Sequence, residues 1–249
     1  MPGQPAPGEE MKANHPVLNE QEITAFVQEA REVLKDFLKD SGTILYSSFE
    51  TLKRGKYYFL GLNPGGSELD TENSIGKSLE NLRSQTQNAY LKGPKDGIAD
   101  WGRYPSGDAP LQLRYQYLFT ELGLGEKLDS VCASNLIFRR SVGEKGSGGI
   151  EMADLCWKVH EAILKIVQPE AIIVFGKLPY FFIKDKLNGT DLTESCTKHG
   201  SWKLRHSILK GGAILNTEAQ LIGLPHLSRY AIDSDKAVID KIKTYLGLV

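Results

Sequence analysis

Four large apolar side chains in a row, Tyr57-Tyr58-Phe59-Leu60, run through Gly61-Leu62 into Asn63-Pro64-Gly65-Gly66. Such a run suits a strand buried on both faces, and Pro64 with two glycines must end it. A second run of this kind, Ala171-Ile172-Ile173-Val174-Phe175, lies between Pro169-Glu170 and Gly176. Strands without polar alternation need helices over both faces, so the chain is constrained to an α/β architecture. Open α/β sheets bind ligands beyond the carboxyl ends of their strands. Asn63 then belongs at the mouth of a crevice, although Asn-Pro-Gly-Gly is also a good turn on its chemistry alone.

The remaining elements follow the same logic. Asn19-Glu20-Gln21-Glu22 reads as a helix start, with Asn19 as cap and Glu22 reaching back. Ile23, Phe26, Val27, Ala30, Val33, Leu34, Phe37 and Leu38 keep a helical spacing, and Ser41-Gly42 supplies the stop. Asn73 to Leu82 suits a short helix, and 88–110 reads as a long surface loop carrying Tyr90, Trp101 and Tyr104. Helical spacing returns over 111–122 and 150–167, with a strand at 131–138 between them. A short helix follows Gly176, and Trp202 to Asn216 suits two strands about Gly211-Gly212. Residues 220–224 lead into Pro225-His226-Leu227-Ser228-Arg229, and a helix over 236–246 closes the chain. Alternation of strand and helix after residue 55 implies a mostly parallel sheet. Asn63-Pro64-Gly65, Asn135 onward, Gly176 and 225–229 then line one edge of it.

Composition narrows the class. A length of 249 residues permits one domain or two. No internal Pro/Ser-rich linker or charge block divides the chain, so the expectation is one domain at 18–249 behind a flexible tail at 1–17. That tail holds four prolines and two glycines and too little large apolar surface to repay the entropy of ordering. It lacks the apolar centre of a secretory signal, and Glu9 and Glu10 argue against a transit peptide. With no run of ~18 apolar residues anywhere, a cytoplasmic protein is expected. Cys132, Cys156 and Cys196 are too few and scattered for a disulfide scaffold, an iron–sulfur cluster or a zinc site. No bound metal is expected. Thirty basic residues nearly balance 31 acidic ones, yet residues 131–249 hold 16 Lys/Arg against 12 Asp/Glu. A local basic face in that half is permitted, as is ordinary solvated surface.

Gly61-Leu62-Asn63-Pro64-Gly65 resembles the first motif of the uracil-DNA glycosylase superfamily. It is closest to the Gly-hydrophobic-Asn-Pro-Gly form of the mismatch-specific and single-strand-selective branches. Ser134-Asn135-Leu136-Ile137-Phe138-Arg139 is similar to the strand carrying that family's base-reading Asn. The segment from Pro169 to Gly176 is similar to the helix-to-strand passage that follows, and Leu227-Ser228-Arg229 to the end of the second catalytic motif. The resemblance covers roughly residues 55–246, in family order. It implies a three-layer α/β/α sandwich around a central, mostly parallel four-stranded sheet. It also implies a monofunctional, cofactor-free glycosylase, acting as a monomer on single- or double-stranded DNA. Such an enzyme hydrolyses the N-glycosidic bond of uracil or a related deaminated or mispaired base.

Within that likeness, Asn63 orients the attacking water, and Leu62, Pro64 and Gly65 shape the substrate pocket. Asn135 offers both donor and acceptor to the edge of a flipped base, where the plain alternative is a strand-end amide satisfying backbone groups. His226-Leu227-Ser228-Arg229 fits a His-Pro-Ser-Arg variant with Leu for Pro, and His226 then stabilises charge on the leaving base. Aligned instead on Leu-Ser-Arg, His226 becomes a spacer, Gly223 takes the catalytic position and Leu227 becomes the wedge pushed into the duplex. Ser228, Arg229, Arg139, Arg140 and Lys177 are candidates for phosphate contacts, against a reading as scattered surface charge. Trp101 and Tyr104 are candidates to stack on an extruded base, against core packing or loop anchoring. Two other classes stay open: a catalytically silent glycosylase-fold protein that binds nucleic acid, and an enzyme of free nucleosides or nucleotides. The chain carries no P-loop for the latter.

Overall fold

The computed structural model describes residues 18–92, 104–143 and 146–249. One mixed sheet runs through them: β1 (Tyr57–Gly61), β2 (Cys132–Asn135), β3 (Ala171–Phe175), β4 (Thr190–Cys196), β5 (Lys203–Leu209) and β6 (Ala219–Leu224), in the order β2-β1-β3-β6-β5-β4. The first four in that order are parallel; β5 runs antiparallel to β6, and β4 to β5. The sheet therefore has six strands, not the expected four. Strand β4 escaped the sequence because it is polar and exposed along almost its whole length, with no apolar alternation to read. The expected strand pair about Gly211-Gly212 is corrected too. Within 202–216 only β5 forms; past Gly211-Gly212 the chain returns later, from Ala219, as β6 antiparallel to β5.

The helices are α1 (Glu20–Val33), α2 (Ile75–Glu80), α3 (Pro110–Glu121), α4 (Gly149–Val167), α5 (Lys177–Lys186) and α6 (Lys236–Tyr245). Asn19 caps α1, accepting from the amides of Gln21 and Glu22 at 3.0 Å, while Glu22 returns a carboxylate to the Asn19 amide. Helix α1 stops at Val33 in a tighter 3-10 turn (Lys35–Phe37), short of Ser41-Gly42. Side-chain alternation divides the two apolar strands between two cores. Tyr58, Leu60, Ile172 and Val174 pack with α1, α4 and α5. Phe59, Ile173 and Phe175 pack with α3 and α6 on the other face. Each fully buried side chain of this size contributes roughly 1.5–3 kcal/mol, so β1 and β3 anchor both layers.

Strand β2 is shorter than the 131–138 expected, ending at Asn135. Beyond it the Leu136 and Ile137 amides donate to the carbonyls of Gly61 and Leu62 at 2.9 and 2.8 Å. This ties the exit of β2 to the exit of β1. From the α4 side, His160 Nε2 donates to the Leu136 carbonyl (3.0 Å), while the Tyr58 hydroxyl meets Nδ1 (2.9 Å). Since a carbonyl only accepts, the neutral ring carries its proton on Nε2. Burial presses the His160 pKa down to about 4, so both nitrogens serve as fixed struts beneath the strand ends.

Candidate functional site

At the carboxyl end of the sheet a cavity of about 570 Å³ opens between the loops after β1, β3 and β6 and the hairpin of β4 and β5. Leu62 and Asn63 after β1, Gly176 to Pro179 after β3, and Pro225, His226, Ser228 and Arg229 after β6 all line it. Trp202 and the bases of Lys203 and Arg205 reach in from the hairpin. Asn63 and His226, distant in the chain, thus face one space. This follows from parallel strands, whose carboxyl ends all open to the same edge.

Asn63 is held in one orientation. Its Nδ2 donates to the Pro64 carbonyl (2.8 Å), the Ser141 carbonyl (3.2 Å) and Ser141 Oγ (2.9 Å). Three acceptors around one end of the amide identify that end as nitrogen. The Oδ1 end is bonded to no donor among the described residues and remains an acceptor.

His226 is accessible at the cavity, yet most of its surroundings are protein, including the Phe175 ring at 4.9 Å between centroids in an edge-on arrangement. Accessibility governs what can touch it, and the surrounding protein governs its ionisation. Desolvation, followed by the positive charge of Arg229, lowers its pKa from the ordinary 6.5, so the ring is neutral at pH 7. The Ser228 amide donates to Nδ1 at 3.2 Å, with Ser228 Oγ 2.8 Å from the same nitrogen. An occupied Nδ1 acceptor leaves the proton on Nε2.

Asn135 lies behind this cavity, not in its wall. It pairs with Gly61 across β2 and β1 and is 2% exposed. Its Oδ1 accepts from the Tyr90 hydroxyl at 3.2 Å, and its Nδ2 is buried without a partner. Gly61 makes this arrangement possible, because a Cβ there would collide with Asn135 Oδ1, the Tyr90 hydroxyl and the Phe175 ring. The Phe175 ring thus packs both over Gly61, the strand partner of Asn135, and against His226. Neither Tyr90 nor Phe175 was singled out from the sequence, since each reads there as ordinary loop or strand filling.

The basic candidates separate. Lys177, Lys203, Arg205 and Arg229 line the cavity, with no Asp or Glu among the described lining residues. Glu194 holds Arg205 at 2.8 Å and Lys203 at 3.9 Å, whereas Lys177 and Arg229 have no ion pair among the described residues. Arg139 faces elsewhere, 3.6 Å from Asp40, because the chain turns back toward the start of the domain after β2. Arg140 and Gly65 line a second cavity, and Pro64 is buried beneath the turn.

Leu227 is a correction. It is fully buried among Leu224, Tyr230 and Ile232, with its carbonyl accepting from Arg114 at 2.6 Å. No exposed side chain remains there to act as a wedge, and Gly223 sits inside β6 against Tyr180. Trp101 lies outside the described residues, and Tyr104 lines neither cavity. The aromatic at the cavity is Trp202, which the sequence could have signalled only through its interleaving with Lys203 and Arg205 along one strand.

No protein-family model matches this chain, and no curated protein matches it as a relative.

Proposed function

We propose that the chain is a DNA base-excision glycosylase hydrolysing the N-glycosidic bond of uracil or a related deaminated or mispaired base. The observation that carries this reading is the pairing, across one cavity, of an amide oxygen free to accept with a neutral imidazole free to donate. Asn63 Oδ1 accepts a hydrogen bond from water and aims it at the sugar carbon. An amide cannot take the water's proton, so the C1′–N bond breaks first and its electron pair leaves with the base. The oxocarbenium-like sugar is then trapped by weakly activated water, whose proton passes to solvent or base. The His226 Nε2–H stabilises the negative charge growing on the departing base. Lys177 and Arg229, unpaired among the described residues, suit flanking phosphates, and the Trp202 indole suits a stacked base. The likeness of the first motif and of the Asn135 strand to the uracil-DNA glycosylase superfamily supports the same assignment.

The test is incubation of the protein with uracil-, hypoxanthine- and mismatch-containing oligonucleotides, followed by alkali. Strand scission at the modified base is expected, reduced ~10²-fold or more by Asn63→Ala. Absence of scission on every substrate removes the activity, and a near-normal Asn63→Ala rate removes that residue from the mechanism.

One observation favours a second reading, a nucleic-acid-binding protein without excision: Asn135 stands outside the cavity with its oxygen engaged by Tyr90. Salt-dependent oligonucleotide binding without base release from any substrate would select it.

A further inference from the structure

A second cavity, of about 550 Å³, lies across the Asn63–Gly66 turn from the first and shares no described lining residue with it. Gly65 and Gly66 form its rim on one side, and α2 with the chain that follows it forms the other. Its lining is mostly hydroxyl and amide side chains, with three cations, Lys77, Lys92 and Arg140, against the single carboxylate of Glu72.

Arg140 is the unusual member. It is 8% exposed, forms no ion pair among the described residues, and has a buried Nε without a hydrogen-bond partner. The one bond of its guanidinium among them is from Nη1 to the Gly65 carbonyl at 2.6 Å. Gly66, at φ +112°, lets the turn settle onto the guanidinium, since a Cβ would approach Nη1 to 3.0 Å. Buried charges in proteins are ordinarily paired, because desolvating an isolated ion is costly. Here a buried cation with most of its five donors unused lines a polar cavity with a positive balance. Lys77 and Lys92, exposed and unpaired among the described residues, add to that field. A guanidinium with donors to spare, sharing its cavity with two ammonium groups, matches a phosphate.

We propose that this second cavity is a phosphate-binding site centred on Arg140. The phosphate is either a phosphodiester of a nucleic-acid strand running over the Gly65-Gly66 turn or that of a free phosphate or nucleotide. The assignment does not depend on base excision, as it uses neither Asn63 nor His226.

The experiment measures binding of three probes to the full chain: a labelled oligothymidylate without any damaged base, thymidine 5′-monophosphate, and inorganic phosphate. Arg140→Gln is expected to weaken binding more than tenfold. The Lys77→Glu/Lys92→Glu protein changes only exposed side chains and keeps its melting temperature. It is expected to bind several-fold more weakly, with a shallower dependence on salt. Loss confined to the oligonucleotide identifies a phosphodiester; loss with the small probes identifies a free phosphate. The lysine variant decides the matter if Arg140→Gln does not fold. Failure of all three probes to bind overturns the site. So does unchanged affinity in the lysine variant, or in a folded Arg140→Gln protein. Base release is not read in any arm, so failure here leaves the excision reading standing, and the converse holds.

Discussion

His160 supports the exit of β2 and His226 follows the exit of β6, and burial is the first cause lowering the pKa of each. Their surroundings differ in one respect. His160 is sealed in the core with both nitrogens occupied, by Tyr58 and the Leu136 carbonyl. His226 lines a cavity, with Nδ1 occupied by Ser228 and no partner on its other nitrogen among the described residues. Neutrality therefore serves support in one region and leaves a free donor in the other. Low pKa alone does not mark a reactive histidine; an open nitrogen does.

The largest effect expected from this contrast is on stability. His160→Leu leaves the Tyr58 hydroxyl and the Leu136 carbonyl buried without partners, which costs roughly 3 kcal/mol in urea unfolding. The same residue governs acid sensitivity. Its folded pKa, about 4, lies below the ordinary 6.5, so the unfolded chain binds the proton more readily between those values. Its share of stability is complete above pH 6.5 and disappears as the pH falls toward 4, a loss on the order of 3 kcal/mol. Unfolding midpoints measured across that range should fall for the parent and lose this component in His160→Leu. An unchanged slope would mean His160 is not the group involved.

At His226 the expected effect is kinetic. His226→Ala should slow base release by ~10²-fold while leaving the urea midpoint nearly unmoved; equal losses of stability and rate would erase the contrast between the two histidines. A smaller effect is expected at Trp202, where Ala should weaken oligonucleotide binding by roughly tenfold, the scale of one base–aromatic stack. Anisotropy titration reads it directly, and full affinity would exclude the indole from the binding surface. The smallest effect is expected from Ser141→Ala, which removes one of three acceptors holding the Asn63 amide. A few-fold drop in kcat with KM unchanged would identify Ser141 as a positioning residue, whereas a matching rise in KM would not.

Where the signal was local, the elements were readable. The cap at Asn19 and Glu22, the apolar runs of β1 and β3 and the spacing of α4 each lie within a few residues. They were recovered almost to the residue. Strand β4 was not, because an exposed edge strand such as Thr190-Asp191-Leu192-Thr193 has no buried face to impose alternation. Strand β2 reads too long for the opposite reason: Leu136, Ile137 and Phe138 are as apolar as a strand requires, but they turn into the α4-side core. At the cavity, Asn63 and His226 were visible through their motifs. Trp202 and Arg205 were hidden in the hairpin, and Leu227 looked exposed in a polar loop although its side chain fills the core.

The α/β class, the parallel strands and the edge at which polar loops gather are all legible along the chain, because they follow from short-range periodicity and turn chemistry. That Asn63 and His226 line one cavity while Asn135 is buried outside it emerges from the folded packing alone. The same holds for the buried guanidinium of Arg140, which has no carboxylate partner among the described residues. Each of these depends on which distant side chains remove water from which, and chain order carries no record of that.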